Sequence, residues 1–330
     1  MKTRLVVALL SVALVTQIYP LDAAATVVNL DEVAVVRNGT TIFDDSFNRN
    51  ITLNGGSGAF LPSGTTFSDG TVANYHVIGS IPEITANNGQ AQLNTGNGIL
   101  IAQSPPLTPL IQEVNAGLIT GSSSTAPNAL TPANTFSATG LFDLAVPSVV
   151  SGTYGLYLTN TAATPGRELQ ARILQTNTGP VLQFRWLDEV NNQTTIISQV
   201  GLTSAELADP QLELELSHDS ANSDVVTALY AFGSGNTLAS FNGTLTALGS
   251  TDSNTDLFTP TLNFAQPGFL AIDPVPEPSS LAILVVGLFG LGMLRWYQCR
   301  GPRPGSGHDH RGREQVDFVL VYHVRGLFGG

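Results

Sequence analysis

Apolar and polar residues alternate one by one in several short runs of the chain. Residues 182–186 read Leu-Gln-Phe-Arg-Trp, 212–216 read Leu-Glu-Leu-Glu-Leu, and 226–232 continue the same period of two. Successive side chains of a β-strand point to opposite faces, so each run places its apolar residues together on one face. A helix would need apolar residues three or four positions apart. The pattern therefore predicts strands with one buried face.

Turn-forming residues separate these runs at short intervals and define the fold class. Asn38-Gly39 lies between the apolar runs 33–36 and 40–43, and this dipeptide is typical of a tight two-residue hairpin. Short strands with frequent turns predict an all-β chain, and we expect a sandwich of two antiparallel sheets. Further runs of the same kind occupy residues 136–146, 153–159 and 168–175.

Two polar stretches are predicted to connect strands. Residues 121–135 are rich in Ser, Thr, Ala, Asn and Pro, which favours a long exposed loop. Residues 246–261 are predicted to form a second polar connection, and only residues 204–207 have a pattern that fits a single helical turn. We therefore expect almost no helix in this part of the chain.

The first 25 residues have the composition of a secretory signal peptide. Lys2 and Arg4 supply the positive start, residues 5–15 are apolar, and small residues at Ala23 and Ala25 form a cleavage site for signal peptidase. An uncleaved N-terminal anchor is the alternative. In both cases the segment 1–25 is separate from the fold that follows it.

A second apolar segment lies near the carboxyl end and is followed by Arg295. As a helix, residues 281–297 would be about 25 Å long, close to the hydrocarbon core of a bilayer. We expect a transmembrane helix over residues 279–297 with Arg295 on the cytoplasmic side; a buried core helix is the alternative. The residues that would anchor it in lipid are Leu281, Leu284, Leu288, Leu291 and Leu294.

The residues before this segment carry a resemblance to a known sorting signal. Val275, Pro276, Glu277 and Pro278 precede the apolar run, and the whole stretch 275–300 resembles the C-terminal signal of PEP-CTERM proteins. The resemblance implies export from a Gram-negative bacterium and processing by exosortase, a membrane protease-transpeptidase. Members of that family usually end soon after the basic residues, whereas this chain continues with a basic tail, 301–330, which we expect to be disordered.

Charge and cysteine content agree with an exported ectodomain over residues 26–274. Between the leader and the Pro-Glu-Pro motif, residues 26–278 contain five arginines, no lysine and 21 acidic residues, so their net charge is −16. Such a surface excludes nucleic acid as a partner, because phosphate binding needs clustered Lys and Arg. The single cysteine is Cys299, so no disulfide is expected, and some 250 residues can form a core without one.

The order of strand types is similar to that of concanavalin A-like (laminin G-like) domains. Residues 43–47 (Phe-Asp-Asp-Ser-Phe) resemble the opening segment, 75–81 followed by 89–93 resembles the early strands, and 154–157 resembles a later strand. The resemblance covers about residues 41–273 and implies a jelly-roll sandwich. Members of that fold class bind glycans or cleave them.

Two pairs of residues could support chemistry. A glycoside hydrolase needs two carboxyl groups that face each other across the sugar, about 5 Å apart in retaining enzymes. Glu213 and Glu215 project from one face of a strand, but the intervening Asp and the third acid of the family pattern are missing. A solvated outer face with leucines packed inside is the simpler interpretation. His76 and His218 lack neighbouring Cys or His, so we expect no zinc site. We therefore predict no catalytic residues and no enzyme activity.

A calcium site is the one cofactor that the sequence suggests. Asp44, Asp45, Asn48 and Asp273 could meet if the two ends of the sandwich adjoin, since Ca²⁺ takes six to eight oxygen ligands. Their spacing does not form a recognised calcium loop. We otherwise expect no cofactor.

Three functions remain open at this point. The first is an exported, non-catalytic cell-surface or extracellular-matrix protein, held by its membrane helix until it is processed, whose sandwich binds extracellular polysaccharide. The second is a glycoside hydrolase on the same fold. The third is a permanently anchored single-pass adhesin that is never cleaved at Pro-Glu-Pro. We expect the first, with signal peptidase, exosortase and membrane lipid as its partners.

Overall fold

A computed structural model describes the ectodomain with several gaps. The predicted signal peptide, the segment 275–300 and the tail 301–330 lie outside the described residues. The described residues are 27–53, 59–78, 84–87, 89–94, 99–101, 111–121, 123–160, 166–188, 191, 193–221, 224–259 and 263–274.

Eighteen strands, one short helix and one 3₁₀ turn make up the regular structure of these residues. The first nine strands are β1 (Val27–Arg37), β2 (Thr40–Asp45), β3 (Ile51–Leu53), β4 (Ala59–Thr66), β5 (Val72–Ile78), β6 (Ile84–Asn87), β7 (Gln90–Asn94), β8 (Ile99–Ile101) and β9 (Ile111–Leu118). The next nine are β10 (Phe136–Asp143), β11 (Thr153–Thr159), β12 (Arg167–Thr176), β13 (Gly179–Asp188), β14 (Gln193–Gly201), β15 (Gln211–Asp219), β16 (Val225–Gly233), β17 (Thr246–Asp252) and β18 (Gln266–Pro274). The helix α1 spans Ser253–Asp256, and the 3₁₀ turn spans Glu206–Ala208.

The strands form two nine-stranded antiparallel sheets, so the predicted all-β sandwich is confirmed. Sheet A has the order β17-β16-β15-β10-β1-β7-β6-β3, with β2 also paired to β1. Sheet B has the order β14-β13-β12-β11-β18-β9-β5-β4, with β8 also paired to β9. Many neighbours, such as β1 and β10, are far apart in sequence, so both sheets depend on long-range pairing.

The hairpin between β1 and β2 follows from its two turn residues. Asn38 and Gly39 both have positive φ, 50° and 76°. This geometry matches the right-handed twist of the flanking strands, and Asn and Gly reach it at low cost. The predicted hairpin is therefore confirmed.

The core lies between the sheets and is built from the apolar faces of alternating strands. Tyr75 of β5 packs edge-on against Phe269 of β18, with ring centroids 5.7 Å apart, and Phe142 of β10 packs against Tyr154 of β11 at 5.5 Å. All four side chains are fully buried. Strands with period-two patterns thus place one face in a single core shared by both sheets.

Two expectations about connections need correction. Residues 246–261 are not a plain connection, because they contain β17 and α1; the carboxylate of Asp252 caps α1 by accepting hydrogen bonds from two backbone N–H groups. The loop 121–135 is only partly exposed. Its Ala129 and Leu130 are buried, and Leu130 forms an isolated bridge to Ala265.

None of the helices in the described part of the chain has the length and apolar character needed to span a bilayer. The expected transmembrane helix, residues 279–297, lies outside that part.

Candidate functional site

Strand β15 separates its leucines from its glutamates. Leu212, Leu214 and Leu216 are fully buried in the core, whereas Glu213 and Glu215 are half-buried on the outer face of sheet A. The interpretation of leucines packed inside a polar outer face is confirmed. The two glutamates are less solvated than the sequence predicts, because neighbouring strands on both sides shield them.

A third carboxylate stands across the sheet from Glu213. Glu213 lies directly opposite Leu141 of β10, and Leu141 lies directly opposite Glu32 of β1. Directly opposite residues of antiparallel strands share a face. Since neighbouring strands are about 4.8 Å apart, the Cα atoms of Glu32 and Glu213 are separated by about 10 Å, with Leu141 between them.

The neighbouring row of cross-strand partners on the same face also has a carboxylate at each end. Glu215 lies opposite Thr139, Thr139 opposite Ala34, and Ala34 opposite Asp44 of β2. We call the four carboxylates Glu32, Asp44, Glu213 and Glu215 the acidic face. Glu32 and Asp44 lie on one side and Glu213 and Glu215 on the other, and the buried side chains of Ala34, Thr139 and Leu141 lie between them.

Burial shifts the acid strength of both glutamates on β15. Burial raises the pKa of Glu213 to about 7, and the charge of Glu215 adds to the shift. Burial also raises the pKa of Glu215, while a hydrogen bond from the Thr139 hydroxyl opposes the shift. Near neutral pH, Glu213 therefore exists in both protonated and ionised forms.

A backbone hydrogen bond from a loop holds Glu32, on the other side of the acidic face. The backbone N–H of Leu238 donates a 2.8 Å hydrogen bond to Glu32 Oε2. Leu238 belongs to the loop 234–245, which joins β16 to β17, so this loop reaches Glu32 of β1. Burial raises the pKa of Glu32, the Leu238 N–H opposes the shift, and the charge of Asp44 adds to it.

A second polar group lies at the same end of sheet A, where β1 has a bulge between Leu30 and Glu32. The carboxylate–amide cluster consists of two aspartates and three amide side chains from four strands. Gln90 Nε2 donates to Asp31 Oδ1 at 2.7 Å and to Asp143 Oδ2 at 3.1 Å, which links the two carboxylates. Asn29 Nδ2 donates to Asp143, and Gln211 Nε2 donates to Asp31. Burial raises the pKa of Asp31, with a smaller contribution from Asp143.

The residues proposed for calcium take different positions. Asp44 and Asp45 are consecutive on β2, so they point to opposite faces. Asp45 is buried and binds Arg49 in an ion pair, and it accepts a 2.9 Å hydrogen bond from the Tyr75 hydroxyl. Asn48 donates to Ser46, and the side chain of Asp273 lies outside the described residues. The carboxylate of Asp45 is therefore occupied by its contacts with Arg49 and Tyr75.

The two histidines of the ectodomain lie in different sheets. His218 of β15 stacks on Phe136 with ring centroids 4.8 Å apart and bonds to the Asn134 carbonyl and the Ser253 hydroxyl. Burial lowers its pKa. His76 is on β5 of sheet B. Within the part of the chain that the structure describes, no group of three or more His, Cys, Asp or Glu side chains could hold a metal ion.

Two arginines, Arg172 and Arg185, and one glutamate, Glu168, lie on the outer face of β12 and β13. Arg172 of β12 is buried, and its Nε and Nη2 both donate to Gln183 Oε1 at 3.1 and 2.6 Å. Gln183 Nε2 in turn donates to Gln199 Oε1, and Arg185 Nε donates to Gln170 Oε1. Burial lowers the pKa of Arg172 to about 9, and the neighbouring Arg185 adds to the shift.

The predicted processing sites lie outside the described residues. These are the cleavage site at Ala23 and Ala25, the motif 275–278 and the anchor 281–295. Comparison with protein families nevertheless covers the second and third of them. Residues 274–295 match the family model of the PEP-CTERM protein-sorting motif. The resemblance drawn from the sequence is confirmed, and the motif indicates export and membrane-associated sorting.

Comparison with curated proteins found no match. Among solved structures, the lectin UEA-II complexed with galactose is 11% identical with a TM-score of 0.34, over 61% of this chain and 85% of that chain. Winged bean acidic lectin, complexed with methyl-α-D-galactose, is 10% identical with a TM-score of 0.30, over 75% and 89%. A GH43_12 protein retrieved from a capybara gut metagenome is 13% identical with a TM-score of 0.32, over 57% of this chain and only 29% of that one. Scores this low establish no shared topology or ligand.

Proposed function

We propose that this chain is an exported, non-catalytic surface or matrix protein whose sandwich binds extracellular polysaccharide through the acidic face. Export begins with removal of the signal peptide 1–25. The helix 279–297 then holds the protein in the inner membrane until exosortase processes it at Pro-Glu-Pro. The sandwich itself is proposed to be a concanavalin A-like jelly roll.

The observation that carries the export proposal is the PEP-CTERM motif at 274–295. It stands directly behind β18, the last strand of the sandwich, so the folded part and the sorting signal are adjacent in sequence. The acidic composition agrees with an extracytoplasmic location, because a surface of net charge −16 stays soluble and repels nucleic acid.

The acidic face supports the binding proposal by its chemistry. Ionised carboxylates are hydrogen-bond acceptors only, and sugar hydroxyls are donors that carboxylates bind strongly. The exposed Asp44 lies on one side and the half-buried Glu215 on the other, with Ala34 and Thr139 between them. A negative face repels uronates and sulfates, so we expect neutral polysaccharides as ligands.

A glycan array probed with the exported protein tests this proposal. We expect binding to neutral glycans to fall at least tenfold in Glu215→Gln and in Asp44→Asn. Asp209→Asn is the matched control, since it removes a charge from the turn before β15 without touching the acidic face. Equal binding by all three variants, or no binding by the wild-type protein to any neutral glycan, would contradict the proposal.

Glycoside hydrolysis is a second candidate, and one observation favours it. Glu213 has a pKa of about 7, which suits a general acid, and Glu32 faces it across Leu141. Two carboxyl groups on opposite sides of a sugar are the requirement for this chemistry, with about 6.5–9.5 Å between them in inverting enzymes.

Hydrolysis of a panel of polysaccharides separates the two candidates. An enzyme should lose at least about 100-fold of its rate in Glu213→Gln and in Glu32→Gln, while Asp209→Asn should keep its rate. A wild-type protein that binds glycans without releasing reducing ends, as we expect, would rule the enzyme out.

A further inference from the structure

Strand β14 is an edge strand without the usual protection against pairing with another chain. It ends the strand order of sheet B, so within the described residues its strand partner is β13 alone. The strand Gln193–Gly201 contains no charged residue and no proline. Ile196 is 57% exposed and Val200 is 37% exposed. An open edge of this length presents a row of backbone N–H and C=O groups to which another strand can pair.

The strands at the other three ends of the two sheet orders carry features that oppose such pairing. Strand β3 has only three residues, and β4 contains Pro62 beside a break in its register with β5. Strand β17 ends in Asp252, whose carboxylate caps α1. Short strands, prolines and charged residues are the means by which proteins prevent association through sheet edges. Among these four terminal strands, β14 is therefore the one best suited to accept a further strand.

Strand β14 is supported from inside the sandwich while its edge stays exposed. Its one irregularity is a bulge at Ile197, and the residues on both sides of the bulge remain in register with β13. Ser198 lies close to Gly249 of β17, because a Cβ added at Gly249 would lie 2.8 Å from Ser198 Cβ. Thr194 and Thr195 are exposed. Strands β13 and β17 thus hold β14 in place without covering it.

The charge around this edge favours a second copy of the chain as the partner. Residues 26–278 have a net charge of −16, so two copies repel each other over most of their surface. Strands β12 and β13, which lie next to β14, contain three arginines and two acidic residues, namely Arg167, Arg172, Arg185, Glu168 and Asp188. Two copies that meet at β14 therefore approach through a part of the surface that is nearly neutral.

We propose that β14 pairs in antiparallel fashion with β14 of a second copy, so that sheet B of one copy continues into sheet B of the other. A two-fold axis at the middle of the strand sets β14 against itself, so the backbone donors of each copy meet the acceptors of the other. The exposed Ile196 and Val200 lose contact with water in the pair, which favours it. This pairing uses the edge of both copies, so association stops at the dimer.

Sedimentation of the full exported protein over a range of concentrations tests the pairing. We expect an equilibrium between monomer and dimer. Ile196→Lys should weaken dimerisation at least tenfold, because it places two like charges close together across the two-fold axis. Val72→Lys is the matched control. Val72 is 59% exposed but lies on β5, between β4 and β9, so the same change of charge there should leave dimerisation unchanged.

Hydrogen exchange of the wild-type protein keeps the test decisive if Ile196→Lys does not fold. The backbone amides of β14 should exchange more slowly as the protein concentration rises. A wild-type protein that stays monomeric at millimolar concentration would overturn the proposal, as would a dimer in which β14 exchanges no more slowly. Equal dimerisation by the two lysine variants, or growth beyond the dimer, would also contradict it. The pairing uses no residue of the acidic face, so its failure would leave the proposed glycan binding untouched.

Discussion

Replacing Glu213 by Gln should stabilise the protein at alkaline pH and leave it nearly unchanged at acidic pH. Burial raises the pKa of Glu213 from its ordinary value of 4.5 to about 7. The folded protein therefore holds this proton more tightly than the unfolded chain does. Below pH 4.5 both states are protonated and the carboxyl costs nothing, between pH 4.5 and 7 the cost grows, and above pH 7 it is complete.

The size of the effect follows from the shift and from the exposure of the side chain. A shift from 4.5 to about 7 has an upper limit of about 3 kcal/mol, because each pKa unit is worth about 1.4 kcal/mol. Glu213 is only half-buried, so water screens part of this cost, and we expect roughly 1 kcal/mol. Removal of the Glu213 charge also relieves Glu215, which acts in the same direction.

Urea denaturation at pH 4 and pH 8 measures the effect directly. The difference in unfolding free energy between Glu213→Gln and wild type should be near zero at pH 4 and favour the variant by roughly 1 kcal/mol at pH 8. Asp209→Asn is the control and should show no such gain. If Glu213→Gln is no more stable than wild type at pH 8, or gains the same amount at both pH values, the burial argument is wrong.

Two further substitutions test the packing of the sandwich. Gly140→Ala should lower the unfolding free energy by about 1–3 kcal/mol, because the new Cβ would lie 2.8 Å from Leu156 Cδ2 between the sheets. Gly201 has open space around it, so Gly201→Ala should be neutral or slightly stabilising in the same denaturant titration. Equal effects of the two substitutions would contradict the packing. Asp45→Asn should cost about 1–3 kcal/mol, since it leaves the partly exposed Arg49 without its carboxylate, and a Tm within a degree of wild type would show that the ion pair does not matter.

Local patterns account for most of what the sequence predicts correctly. The alternation in 212–216 requires only that neighbouring side chains of a strand point to opposite faces, and the structure places the three leucines in the core. The Asn38-Gly39 turn depends on two residues that tolerate positive φ. The same period of two would have separated Asp44 from Asp45, which the calcium hypothesis overlooked.

The acidic face could not be predicted in this way, because it depends on which strands become neighbours. Glu32 lies on the same face as Glu213 only because β10 pairs with β1 on one side and with β15 on the other. About a hundred residues of sequence separate β1 from β10, and more than half that number separate β10 from β15. The bulge in β1 brings Asp31 and Glu32 to the outer side, which no simple period describes. Strand β17 was missed because it is a polar edge strand in which Leu248 is the one buried residue.

The intact mass of the exported protein, measured in cells with and without exosortase, tests the central claim most directly. We expect a product that lacks residues 1–25 in both strains. With exosortase, the mass should also show loss of the segment after Pro-Glu-Pro, whereas without exosortase the segment 279–297 should remain and the protein should stay in the membrane fraction. A full-length protein that is soluble in the cytosol with its leader still attached would contradict the proposal, and an unprocessed membrane protein in both strains would favour the anchored adhesin.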